Sequence, residues 1–124
     1  MLAPPPSADP RFIDGISCYN SQRFFKCHEL LEAVWLETTG RDRDCYKGLI
    51  QAAVAFHHWS QGNLGGAMSL YKSSRAYLTR YLPSYFGLDL EEFVRAYTEL
   101  FGWLRHHPMR YDARLVPPLR WQPS

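Results

Sequence analysis

Hydrophobic residues recur at helical spacing along almost the whole chain. Apolar side chains three or four positions apart continue from residue 11 to residue 107, and no run shows the alternation of a half-buried strand. Prolines lie mostly outside this span, and only Pro83 interrupts it. Because proline ends or excludes a helix, we predict a disordered tail at 1–8, a helical domain at 9–107 and an irregular, Pro/Arg-rich segment at 108–124.

The same periodicity predicts about five helices in this domain, at approximately 10–20, 22–38, 42–60 or 44–60, 64–82 and 90–106. The third helix begins at Asp42 or Asp44 in this prediction. Asp9, Asn63 and Asp89 are the expected N-caps of the first, fourth and fifth helices, because short oxygen-bearing side chains accept hydrogen bonds from free helix amides. The third helix is apolar almost all the way round and should be central. Short connections favour antiparallel neighbours, so we predict an all-α fold, a compact bundle built from antiparallel helical hairpins.

Composition and charge limit the kinds of partner and the cellular location that we expect for this protein. The chain has 124 residues with 14 basic and 12 acidic side chains, and a net charge of +2 gives no argument for a nucleic-acid or membrane partner. No apolar run approaches the ~20 residues of a membrane-spanning helix, and the first residues do not have the pattern of a signal peptide. The three cysteines Cys18, Cys27 and Cys45 form no CxxC pair. These features predict a cytoplasmic protein with reduced thiols.

Polar residues at expected core positions form the most suggestive cluster. The predicted inward row of the second helix is Phe24, His28, Leu31 and Trp35, and Glu32 lies one turn after His28 and shares a helix face with it. Gln51 and His58 are two turns apart on the third helix. If the second and third helices pack antiparallel, the imidazole of His28 should face the amide of Gln51. Asn63, which follows the third helix, completes the set of polar-pocket candidates.

Two interpretations of this cluster remain open. In the first, His28, Glu32 and Gln51 form a buried polar network that only holds the helices together, since buried polar groups are normally hydrogen-bonded. No cofactor is expected in that case. In the second, His28, Glu32 and His58 bind a divalent metal or line a small-ligand pocket that could support hydrolysis.

The sequence contains no complete motif of a known catalytic site. His28-Glu29 begins like a zincin helix, but Glu32 stands where that motif requires a second histidine. Gly62, Gly65 and Gly66 match no phosphate-binding loop. The sequence therefore assigns no reaction, and we favour a non-catalytic module that binds an unknown protein partner or self-associates over an enzyme.

The segment after Pro108 mixes apolar residues with arginines. Such a composition is poorly suited to free solution, so we expect this segment to pack across its own domain or a neighbouring subunit. Its positive charge is too modest to favour a nucleic-acid partner over these two.

Several motifs in the first two-thirds of the chain resemble a known family. They are Gly15 to Asn20 with Phe24-Phe25, His28-Glu29-Leu30-Leu31-Glu32 with Trp35, Lys47 to Ala55, and Gln61-Gly62-Asn63 leading to Gly66-Ala67. In this order they are similar to the bacterial and archaeal proteins catalogued as domain of unknown function 309. The resemblance implies a compact helical fold and makes His28, Glu32, Trp35, Gln51 and Asn63 family-motif positions. It implies no activity, because the family has no established one.

Overall fold

A computed structural model describes residues 9–122 and confirms the predicted all-α class. Its five α-helices are α1 (Pro10–Asn20), α2 (Phe24–Glu37), α3 (Asp42–Ser60), α4 (Leu64–Leu78) and α5 (Leu90–His106). Two short 3-10 helices occupy Thr79–Tyr81 and Ala113–Leu115. The predicted tail at 1–8 and the last two residues lie outside the described part of the chain.

The three predicted N-caps are confirmed. The side chain of Asp9 accepts a hydrogen bond from the Arg11 amide at 2.8 Å. Asn63 Oδ1 accepts from the Gly66 amide at 2.9 Å, and the Asp89 side chain accepts from an amide in the first turn of α5 at 3.0 Å. Each cap satisfies an amide that has no partner within its helix, so these residues fix where α1, α4 and α5 begin.

Helix α3 forms the centre of the bundle, as its apolar sequence predicts. It packs against α2 on one side and α4 on the other, and ten of its 19 residues are buried. Gly48 permits the close approach of α4, because a Cβ atom there would lie 2.8 Å from the side chain of Leu78. By contrast, a Cβ atom added at Gly65 would approach only the side chain of Asn63, at 4.0 Å, among residues 9–122.

A small β-hairpin between α4 and α5 was not expected from the sequence. Strands β1 (Ser84–Tyr85) and β2 (Leu88–Asp89) pair antiparallel. Phe86 and Gly87 connect them with φ angles of 54° and 76°. Positive φ at both central residues is typical of a two-residue hairpin turn, in which Asn-Gly is the usual sequence. Phe86 instead packs its ring against the ring of Tyr46, with centroids 4.6 Å apart.

The chain after α5 runs back over the bundle. Trp59 Nε1 donates to the carbonyl oxygen of Met109 at 2.9 Å, and Leu119 is only 2% exposed. An isolated bridge joins Leu88 to Trp121. These contacts hold the described part of the C-terminal segment against its own domain. Within residues 9–122, none of the helices has the length and hydropathy needed to span a bilayer.

Candidate functional site

One solvent-facing side of α2 lines an open groove of about 400 Å³. We call this surface the α2 face, and its residues recur every three or four positions: Phe25, His28, Glu29, Glu32, Ala33 and Leu36. Phe25 is 55% exposed and Leu36 is 67% exposed. The α2 face therefore presents a large apolar side chain at each end and polar groups between them.

His28 and Glu32 are in direct contact on this face. His28 Nε2 lies 2.5 Å from Glu32 Oε2, and the two side chains are 28% and 45% exposed. The pair is therefore close to solvent, which corrects the expectation of a buried network. His28 is less buried than expected because it lies at the edge of the buried face of α2, whereas Cys27, Leu31 and Val34 fill the interior.

Gln51 lies on α3 between residues that contact different neighbouring helices. It is three residues after Gly48, which lies against Leu78 of α4, and four residues after Lys47, whose Nζ lies 4.7 Å from the centroid of the Trp35 ring of α2. Residues three and four apart share a helix face, so Gln51 borders both neighbours. Gln51 Oε1 is buried and has no hydrogen-bond partner among residues 9–122.

The expected pairing of His28 with Gln51 is therefore not formed in the described residues. Contacts between α2 and α3 run through other residues, such as the rings of Phe25 and His57, whose centroids are 5.7 Å apart. Sequence periodicity could not fix how these two helices are rotated against each other, because α3 is apolar almost all round and packs against a neighbour on more than one side.

Trp35 joins α2 to α3 through two cations. Arg43 Cζ lies 4.0 Å and Lys47 Nζ 4.7 Å from the centroid of the Trp35 ring. Arg43 Nη1 also donates to the carbonyl oxygens of Trp35 and Thr38, at 3.0 Å each. A cation there satisfies the last carbonyls of α2 and is attracted to the face of the indole ring. Sequence reasoning missed this role of Arg43.

His58 and Asn63 lie together at the turn between α3 and α4. Asn63 Nδ2 is 3.5 Å from His58 Nδ1, and the Asn63 side chain caps α4. Within residues 9–122, no three His, Cys, Asp or Glu side chains are grouped closely enough to hold a metal ion. The predicted ligand set of His28, Glu32 and His58 is thus not brought together in this part of the chain.

The cysteines are enclosed by the core. Cys18, Cys27 and Cys45 are free and buried. Burial raises the pKa of the Cys27 thiol to about 12, and burial likewise raises the pKa of Cys45 far above its ordinary range. Both groups therefore stay protonated near neutral pH, and neither is a nucleophile for chemistry on the α2 face.

The exposed apolar residues of the α2 face are functional candidates that sequence reasoning missed. The predicted inward row of this helix contained Phe24, His28, Leu31 and Trp35, and Phe25 and Leu36 fall outside it. Large apolar residues off the inward row of an otherwise well-patterned helix are the signal that could have identified them.

Comparisons with known proteins find a family that part of this chain is similar to. Residues 12–70 match the family described as "Domain of unknown function (DUF309)". An "Uncharacterized protein" of Aquifex aeolicus (strain VF5) is 34% identical over 82 residues, which are 65% of this chain and 24% of that protein. "Uncharacterized protein YpuF" of Bacillus subtilis (strain 168) is 38% identical over 65 residues, 51% of this chain and 37% of that protein.

The matched region therefore makes up only about a quarter of one relative and just over a third of the other. The region matched to the family contains the α2 face as well as Trp35, Gln51, His58 and Asn63. The predicted resemblance is thus confirmed over residues 12–70, which are just under half of the chain and match the domain of unknown function 309.

Proposed function

We propose that this chain is a non-catalytic protein-binding module and that the α2 face is its docking surface. The observation that carries the proposal is the pair of large exposed apolar side chains, Phe25 and Leu36, on the same face as the His28–Glu32 pair. They are eleven residues apart, which corresponds to about 16 Å along a helix. Two such anchors at the ends of a polar strip match the way a groove receives an amphipathic helix.

The charges between the anchors indicate the chemistry of the partner. Glu29 and Glu32 both line the groove, and His28 is already in contact with Glu32. A partner helix with basic side chains between two apolar residues would complement this strip. Packing the α2 faces of two copies against each other would bring like-charged carboxylates together, so a basic partner is favoured over self-association.

The comparisons support a modular role. Both relatives named above are longer than the region they share with this chain, so the same domain occurs beside other sequence in those proteins. A domain that is reused in this way needs a surface that works independently of its neighbours. The α2 face meets that requirement, because a single helix supplies all of its lining residues.

A designed peptide tests the proposal directly. The probe is a labelled amphipathic helix of about 18 residues, with two leucines at the spacing of Phe25 and Leu36 and lysines between them. We expect it to bind the wild-type chain, and Leu36→Glu to weaken binding by at least about tenfold, the loss of one interface anchor. Leu82→Glu is the matched control, since Leu82 is also exposed, at 40%, but lies outside the α2 face.

Three results would contradict the proposal. One is equal affinity of wild type and Leu36→Glu for the basic peptide. Another is equal affinity of the wild type for a peptide in which glutamates replace the lysines, because the charge argument would then fail. The third is a stable dimer in sedimentation that Leu36→Glu dissociates, because the occupant of the face would then be a second copy.

A further inference from the structure

The described C-terminal residues 116–122, which we call the strap, are held at two points by side chains at the end of α1. Tyr19 Oη donates to the carbonyl oxygen of Pro117 at 2.7 Å. Asn20 Nδ2 donates to the carbonyl oxygen of Leu119 at 2.8 Å, and the amide of Leu119 donates back to Asn20 Oδ1 at 2.9 Å. One asparagine side chain thus pairs with both backbone groups of a single strap residue.

The edge of β2 adds a second set of backbone contacts. The amide of Asp89 donates to the carbonyl oxygen of Arg120 at 2.9 Å, and the amide of Gln122 donates to the carbonyl oxygen of Gly87 at 2.7 Å. The strap therefore lies beside β2 as an added strand. Backbone pairing at a sheet edge is a recurring way in which domains bind extended peptides.

Two side chains of the strap are buried, and its prolines favour the conformation that it adopts. Pro117 is buried and Leu119, the aliphatic anchor, is 2% exposed, whereas Pro118 and Arg120 on either side of Leu119 are exposed. The consecutive prolines 117 and 118 favour an extended backbone before any contact is made, which lowers the entropy cost of binding. This combination of backbone hydrogen bonds and alternate buried side chains is that of a peptide in a binding groove.

The groove and its occupant belong to different parts of the chain. Tyr19 and Asn20 lie within residues 12–70, which match the family, whereas the strap lies outside that region. The hydrogen bonds of Asn20 and Tyr19 reach only backbone atoms of the strap. Because backbone atoms are common to all sequences, another segment with the same extended shape and a similar anchor can make the same bonds.

We propose that the cleft between Tyr19, Asn20 and β2 is a binding groove for an extended peptide with a proline pair followed by an aliphatic anchor. The strap is its intramolecular occupant, and a partner protein that carries such a segment displaces it. This groove is separate from the α2 face, so it does not depend on the function proposed above. The strap keeps the groove closed until a competing segment is present at high local concentration, because a tethered ligand acts at an effective concentration of roughly millimolar.

The test uses full-length variants and a labelled peptide with the sequence of residues 113–122. Leu119→Ala removes the anchor of the strap and should bind the free peptide at least about tenfold more tightly than the wild type does, because the tethered competitor is weakened. Leu115→Ala is the matched control, since Leu115 is 40% exposed and precedes the strap, and it should behave like the wild type. Adding Asn20→Ala to Leu119→Ala should abolish peptide binding.

Failure of folded Leu119→Ala to bind the peptide would overturn the proposal, as would unchanged binding after Asn20→Ala is added. If circular dichroism shows that Leu119→Ala is unfolded, hydrogen exchange of the wild-type chain tests whether the peptide displaces the strap. With peptide at several times the roughly millimolar effective concentration, the amides of Leu119 and Gln122 should lose protection while the Asp89 amide keeps it. Unchanged protection of Leu119 and Gln122 would contradict displacement.

Discussion

At the scale of single residues, the exposure of the His28 and Glu32 side chains determines how much their contact contributes to the stability of the fold. The two groups touch, yet both keep substantial access to water. A polar side-chain contact that water reaches in this way contributes only about 0–1 kcal/mol to stability, because water competes for both partners. Its value to the protein therefore lies in the chemistry that it presents on the α2 face, more than in the stability of the fold.

We accordingly expect His28→Ala to lower the free energy of unfolding by less than about 1 kcal/mol. Leu31→Ala on the same helix is the comparison, because Leu31 is completely buried and its truncation should cost about 2–5 kcal/mol. Urea denaturation of both variants measures the difference. A loss for His28→Ala as large as that for Leu31→Ala would show that the imidazole belongs to the core.

Burial of Cys27 gives a second expectation at this scale. Burial raises the pKa of its thiol from 9.0 to about 12, so the neutral thiol is favoured in the folded state. At pH 8 a disulfide reagent should label Cys27 only when the chain unfolds, whereas a cysteine placed at exposed position 21 by Ser21→Cys should react at once. Labelling of Cys27 in the native state at the rate of the exposed thiol would contradict the structure.

The same pKa shift has a consequence for stability. A raised thiol pKa favours folding below pH 9.0, and the contribution is lost as the pH rises from 9.0 toward 12. The free energy of unfolding should therefore fall across this range, and Cys27→Ala should flatten the fall. Alkaline denaturation curves that are identical for wild type and Cys27→Ala would contradict this linkage.

At the scale of elements, the packing of α3 against α4 depends on a close approach at one glycine. Gly48 of α3 brings α4 near, since a Cβ atom there would lie 2.8 Å from Leu78 and 3.0 Å from the Cβ atom of Tyr77. Overlap with two packed side chains outweighs the gain of about 1 kcal/mol that alanine normally brings to a helix interior.

We expect Gly48→Ala to lower the free energy of unfolding by about 1–3 kcal/mol. Gly102→Ala in α5 is the matched control with the opposite sign. A Cβ atom there meets nothing within 4 Å, so the substitution should stabilise the protein by up to about 1 kcal/mol. Thermal melts of the two variants measure both effects, and a stabilised Gly48→Ala would show that α3 and α4 are not in close contact.

The helices were predictable from sequence because their signals are local. Asp9, Asn63 and Asp89 cap the helices that they were expected to cap, since a capping side chain and its amide are separated by only two or three residues. The β-hairpin was missed for the opposite reason. Phe86 takes positive φ in its turn, and what holds it there is packing against the ring of Tyr46, forty residues away.

The arrangement of the candidate site could be predicted only in part. The contact of His28 with Glu32 follows from a spacing of four residues within one helix. Whether Gln51 meets His28 depends on how α2 and α3 are rotated against each other, and a helix that is buried on most sides carries no pattern that decides this rotation. The two exposed anchors, Phe25 and Leu36, were visible in the sequence as apolar residues off the predicted inward row.

At the scale of the whole molecule, the bundle separates a packed interior from two distinct surfaces. Helix α3 is enclosed by its neighbours, and the strap covers the end of α1 and the edge of β2. The α2 face remains open, with apolar anchors at both ends and acidic groups between them. This division is the basis for proposing that the protein acts by binding a partner through α2.

Chemical-shift mapping tests this central claim most directly. The ¹⁵N-labelled chain is titrated with the basic amphipathic peptide described above, and the amide shifts are followed residue by residue. We predict that the largest changes occur at Phe25, Glu29, Glu32 and Leu36 and disappear in Leu36→Glu, while the amides of α5 do not change. The largest changes at α5 instead, or none anywhere at millimolar peptide, would contradict the account.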